Sequence, residues 1–156
     1  MKTVLLPTDF SKNAWNAIFT ALKLFHNIQC KFILFHTYEP NLTDVLGDQG
    51  EKRLSSIYQS MEEESHRQMA EILNYLKEHH QNPRHNFKVL IRPGDLIGEV
   101  RERIKKHPVD FIVMGTQGAT GAQRVFLGSN TVNMLKTIKN RPVLAVPETY
   151  DFQRLD

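Results

Sequence analysis

Along the chain, short runs of β-branched and aliphatic residues alternate with longer stretches in which apolar side chains return every three or four positions. The short runs, at about 3–8, 31–37, 87–92, 109–115 and 142–147, predict five strands. Between the first two, SKNAWNAIFTALKLF puts Ala14, Ile18, Ala21, Leu22 and Phe25 on one helix face, with Ser11 as the N-cap. From about Glu51 to His80 the stripe reads Leu54, Ile57, Met61, Met69, Ile72, Leu73 and Leu76, with Ser65 filling one step. Asp95 caps a third helix that turns Ile97, Val100 and Ile104 inward. A fourth begins near Ser129, carries Val132, Leu135 and Ile138, and stops at NRP. Strand, helix, strand in strict succession predicts an α/β fold, an open parallel sheet with crossover helices.

Composition narrows the class. A chain of 156 residues with 40% hydrophobic content suits one domain, 1–156, with a single buried core. The apolar runs FILF and FIVM fall far short of the roughly 20 residues a bilayer needs. The start, MKTVLLPTDFS, turns polar too soon for a signal peptide, so a soluble cytoplasmic protein with no membrane partner is expected. The lone Cys30 has no internal disulfide partner and reads as a small core residue in a reducing compartment. With 20 Lys and Arg against 17 Asp and Glu, the excess of +3 is spread along the chain. Phe32, Phe35, Phe87 and Phe111 lie inside apolar runs, and Trp15 and Phe19 keep helical spacing, so the aromatics read as core and nucleic acid is not an expected partner.

In an open parallel sheet, ligands bind beyond the carboxyl ends of the strands, where neighbouring connections diverge. After the first strand comes LPTDFS, with Pro7 shaping the exit, Asp9 offering a carboxylate and Ser11 opening a helix. After the fourth comes MGTQGATGAQRVFLGSN, Met114 to Asn130. If both loops serve one ligand, strands one and four are neighbours, and the sheet order is 3-2-1-4-5. Glycine at 115, 118 and 128 lets phosphate oxygens approach main-chain N–H groups, and Ser129 is placed to cap the fourth helix and donate its hydroxyl. The loop reads as a phosphate cradle. It is not a Walker loop, because Gly128 stands where lysine would precede Ser129. Nor do Gly115, Gly118 and Gly121 make the dinucleotide G-x-G-x-x-G.

Taken with LLPTDFS near the start and RPVLAVPE near the end, this glycine spacing closely resembles the universal stress protein family, in its single-domain ATP-binding branch, over nearly the whole chain. The resemblance implies a Rossmann-like sheet of the adenine nucleotide alpha hydrolase-like kind, with helices on both faces. It also implies ATP, with or without Mg²⁺, between the loops after strands one and four, and a homodimer through strand five, about Pro142 to Pro147. Carried over position by position, Asp9 would bind the ribose or the adenine edge, Pro7, Thr8 and Thr37 would line the base pocket, and Met114 and Gly115 would lie under the nucleoside. Gly118, Gly128, Ser129 and Asn130 would hold the phosphates. Gln117 departs from the histidine or arginine of many relatives, which removes a charge from the phosphate end.

Other residues have plainer readings. Gly121 serves a turn, and Arg124 reads as a solvated face more readily than as a phosphate partner. His79, His80 and His85, and the pair Glu62 and His66, read as solvated surface instead of a metal site, while His36 is expected as a hydrogen-bonded wall of the cleft. Val143, Leu144 and Val146 form an apolar edge needing cover, from a second copy or from the tail ETYDFQRLD. The expected function is a stress-response module in which bound nucleotide biases the dimer, or loop 38–50, toward a downstream protein. It is not expected to be an enzyme, with ATP hydrolysis at most slow, since the loop supplies few of the Mg²⁺ ligands, positioned nucleophile and cationic groups that phosphoryl transfer needs. A nucleotide-free dimeric scaffold and an ATP-dependent adenylyl-transferring enzyme remain open as alternatives.

Overall fold

A computed structural model describes residues 1–41, 50–116 and 127–148. Nine elements follow one another: β1 (Lys2–Pro7), α1 (Lys12–Leu24), β2 (Cys30–Tyr38), α2 (Gly50–His79), β3 (His85–Pro93), α3 (Leu96–Lys106), β4 (Phe111–Gly115), α4 (Ser129–Thr137) and β5 (Val143–Val146). All strand pairs are parallel and the order is β3-β2-β1-β4-β5, the order inferred from the two loops. Strand ends differ by up to two residues from the expected ones; β4, for example, begins at Phe111 instead of 109.

Alternation along the central strands divides the interior in two. Val4, Leu6, Phe32, Leu34 and Val113 pack with Ala17, Ile18 and Ala21 of α1 and Met69, Ile72 and Leu76 of α2. Leu5, Ile33, Phe35, Ile112 and Met114 pack with Val100 of α3 and Met134 of α4. Helices therefore cover both faces, and each fully buried Leu, Ile or Phe contributes about 1.5–3 kcal/mol of transfer free energy. Along the stripe of α2, Ser65, Met69, Ile72 and Leu76 are buried, whereas Leu54, Ile57, Met61 and Leu73 are half-buried. Ser65 is tolerated there because its hydroxyl donates to Met61 O at 2.6 Å.

Two expected caps are present: Ser11 Oγ accepts from Ala14 N at 3.2 Å, and Asp95 Oδ2 accepts from Gly98 N at 2.8 Å. The third is corrected. Gly128 is the N-cap of α4, with no side-chain cap bond, and Ser129 is the first helical residue. Extended backbone at Gly128 (ψ 157°) satisfies the geometry of a cap, and a serine one step later is already inside the helix.

A second correction concerns the histidines. His85 is 7% exposed, not solvated: β3 begins at this residue, in register with Cys30, which turns the imidazole inward. Its Nε2–H donates to Phe25 O at 3.0 Å, so its Nδ1 accepts from His80 Nε2 at 2.8 Å. Among the described residues, no helix is long and apolar enough to cross a membrane.

Candidate functional site

The carboxyl end of β1 is shaped by three small bonds. Thr8 N prolongs the sheet by donating to Phe35 O at 2.8 Å. Thr8 Oγ1 then accepts from Phe10 N at 3.1 Å, and Asp9 Oδ1 accepts from Ser11 N at 3.0 Å. These back-to-back side-chain turns bend the chain into α1 and leave Phe10 at φ 67°, a left-handed conformation that costs a bulky residue about 1–3 kcal/mol. The Phe10 ring is held there against His36, with centroids 4.4 Å apart.

His36 lies at the carboxyl end of β2 and bonds through Nδ1 to Thr8 O at 2.8 Å. A carbonyl only accepts, so Nδ1 carries the proton and, in the neutral ring, Nε2 is an acceptor. Burial pushes the His36 pKa below its usual value, against the opposing pull of Thr8 O and Asp9, which keeps the ring neutral at pH 7.

Across the sheet, β4 ends at Met114 and Gly115, and α4 begins within reach. Thr131 Oγ1 donates to Gly115 O at 2.8 Å, and Gly128 N donates to Thr116 O at 2.5 Å, which together pin the start of α4 to the end of β4. The Gly128 amide is thus engaged by the protein itself. The amides of Ser129, Asn130 and Thr131 make no backbone hydrogen bond among the described residues, and they stand at the positive end of the helix. Gly115 has a different reason for being glycine than phosphate approach: a Cβ there would sit 2.6 Å from Asn13 Oδ1 and 3.1 Å from Asn13 O. It lets α1 close onto β4.

Together these segments enclose a cavity of about 230 Å³. Of the residues singled out from sequence, Pro7, Thr8, Asp9, Thr37, Met114, Gly115, Gly128, Ser129 and Asn130 line it, and His36 forms part of its wall as expected. Gly118, with Gln117, Gly121 and Arg124, lies outside the described residues, as do most of loop 38–50 and the tail from 149 on. Ala14, Leu96 and Thr131 also line the cavity and were not anticipated. Thr131 was discoverable, being a hydroxyl in the first turn after the glycine loop; Leu96 was not, because only the sheet order brings the start of α3 to this end. The volume sits just below the roughly 300–1,000 Å³ of small-molecule sites, and among the described residues no lysine or arginine lines it.

Comparison with known proteins agrees with this fold. The model of the universal stress protein family matches residues 1–147. The chain belongs to the universal stress protein family. Universal stress protein MJ0577 of Methanocaldococcus jannaschii is 32% identical, covering 93% of this chain and 94% of its own length. A solved structure of MJ0577 superposes with a TM-score of 0.77 at 28% identity, over 96% and 98% of the two chains. UspA of Lactobacillus plantarum has the same fold, with a TM-score of 0.76 at 21% identity over 93% and 97%. A family protein of Arabidopsis thaliana solved with AMP bound shares the fold at 15% identity, with a TM-score of 0.64 over 100% and 97%.

Proposed function

We propose that this universal stress protein binds an adenine nucleotide in the cleft between the β1–α1 loop and the start of α4, and acts by binding without turnover. The observation that carries the reading is the convergence on one cavity of a carboxylate, Asp9, and three helix-start amides, Ser129 to Thr131, delivered by loops distant in sequence. One end of such a cleft suits a ribose hydroxyl and the other a phosphate. Pro7, Thr37 and Met114 supply the apolar surface a base needs. AMP in a protein of the same fold supports adenine; ATP, with Mg²⁺ carried on its phosphates, is the ligand favoured here.

Turnover is not part of the proposal. Phosphoryl transfer requires cationic groups around the moving charge, and the described walls offer hydroxyls, amides and a neutral imidazole. A homodimer through β5 in the cytoplasm completes the reading: β5 is paired on one side by β4, and Leu144 is 41% exposed. Bound nucleotide would then bias that dimer, or loop 38–50, toward a downstream protein.

Isothermal calorimetry and thermal shift with ATP, ADP, AMP and cyclic AMP test the site. Saturable binding is expected, and it should be lost in Asp9→Ala and in Gly118→Val. No heat and no shift at millimolar nucleotide would leave a nucleotide-free scaffold, while pyrophosphate release with an acceptor would point to adenylyl transfer. Sedimentation of the parent and of Leu144→Lys tests the dimer.

A further inference from the structure

Away from the cleft, a second cavity of about 120 Å³ lies between α3 and the β2–β3 side of the sheet, and it shares no lining residue with the first. Its floor is apolar, Phe35 and Leu90. Its walls are charged: Arg92 comes from β3, Arg103, Lys106 and His107 from the last turn and C-cap of α3, and Glu99 and Glu102 from earlier in that helix. We propose that this cavity binds a phosphoryl group, a small dianionic oxyanion seated on the Arg92 and Arg103 guanidiniums.

The first support is an unmet donor. Arg103 Nε is buried and has no hydrogen-bond partner, and it is alone in that state among the buried side-chain nitrogen and oxygen atoms of the described residues. Buried polar atoms are nearly always paired, and a guanidinium is matched best by an oxyanion that accepts two parallel bonds. The second is a charge imbalance. Glu102 is already shared by Lys105 at 3.2 Å and Lys106 at 3.5 Å. Among the described residues Arg92 reaches only Ile91 O, at 3.4 Å, and neither Arg92 nor Arg103 has a carboxylate within 4 Å. Cations outside the cavity add to this field: burial and the charges of Arg103, Lys88, Lys106 and Lys31 all push the His107 pKa down. Burial, with Arg92 beside it, likewise lowers that of Arg103.

The helix dipole explains cations in the last turn of α3, but not Arg92, Lys88 and Lys31 arriving from two strands. Glu99 is the bland competitor, one helical turn from Arg103 and in the same wall. Size favours the small ligand, because the space is about half that of the nucleotide cleft and suits a tetrahedral ion or its monoester end better than a nucleoside.

The test is an NMR titration of the full chain with inorganic phosphate, methyl phosphate, acetate and chloride at one pH and matched ionic strength, followed at the Arg103 Nε–H and the His107 ring. Saturable shifts with either phosphate and a rise in the His107 pKa are expected, with acetate and chloride inert. Tighter methyl phosphate would assign the site to a monoester, and tighter inorganic phosphate to the free ion. Arg103→Gln should weaken binding by at least about tenfold, as loss of a charge-assisted bond does. Arg92→Gln, at an exposed position, gives the same answer should Arg103→Gln fold poorly, and Glu99→Gln should tighten binding. Asn130→Ala, in the other cleft, should leave it unchanged. Non-saturable shifts, equal response to chloride, or binding that survives both arginine variants would overturn the proposal.

Discussion

Replacing Gly115 by alanine should destabilise the fold sharply, for a reason unconnected with ligand. The new methyl carbon would stand 2.6 Å from Asn13 Oδ1 and 2.7 Å from Asn13 Cγ, distances that no Cβ sustains, with Asn13 O only 3.1 Å away. The Asn13 side chain must move, and it is buried and donating from Nδ2 to Val146 O at 3.0 Å. Displacing that donor costs about 1–3 kcal/mol. Overpacking against the helix backbone costs a further 1–3 kcal/mol or so. A loss of about 2–6 kcal/mol follows, a large part of the roughly 5–15 kcal/mol that holds a domain together. At about 2–4 °C per kcal/mol for a chain of this length, Tm should drop by about 4–24 °C. Asn13→Ala alone should cost about 1 kcal/mol, since Val146 O keeps its bond from Thr116 N. In the Asn13→Ala background most of the Gly115→Ala penalty should vanish, which a double-mutant cycle by urea denaturation without nucleotide measures. A Gly115→Ala protein within about 0.5 kcal/mol of the parent, or a penalty undiminished without Asn13, would refute the packing argument.

Other consequences are open to measurement. His80 and His85 both have pKa values pushed below 6.5: burial acts first on each, then His85 and His26 on His80, while His26 and Arg84 lower His85 against the bond to Phe25 O. The unfolded chain therefore takes up protons first; this contribution to stability is complete above about pH 6.5 and is lost as pH falls through the lower folded values. Urea midpoints from pH 7.5 to 5.5 should fall less steeply in His80→Gln, and parallel slopes would count against the pair. Cys30 is fully buried and its thiol pKa is raised by that burial, so a thiol reagent should label it only after denaturation. Fast labelling of native protein would contradict this. Thr131→Val should cost about 1 kcal/mol by removing the bond to Gly115 O, read as a shift in urea midpoint, and no shift would show that α4 is anchored otherwise.

Period and cap chemistry made the elements legible, since the apolar stripe of α1 and the residues Ser11 and Asp95 carry local information. The sheet order was legible only indirectly, through the demand that two loops meet at one ligand. Most of the cleft was readable for the same reason: Pro7 ends β1, and Asp9 and Gly128 sit in loops whose position the topology dictates. What escaped depends on distance in space. Gly115 invites a phosphate reading until Asn13, a hundred residues earlier, is seen beneath it. His85 reads as polar surface until its register with Cys30 turns it inward. Likewise the basic residues look scattered along the chain, and only the pairing of β2 with β3 under α3 brings Arg92 to Arg103, and Lys31 and Lys88 within the field felt by His107.

The opening turns of α1 hold the outer rim of the sheet by two side-chain amides, Asn13 on Val146 O and Asn16 on Glu148 O at 3.3 Å. Anything that tilts this helix start drags that rim along, and load on the rim is returned to the bend at Asp9 in front of the helix. A molecule resting against the bend and a chain leaning on the rim would press on the two ends of one helix start, and any coupling between them would be equal in both directions.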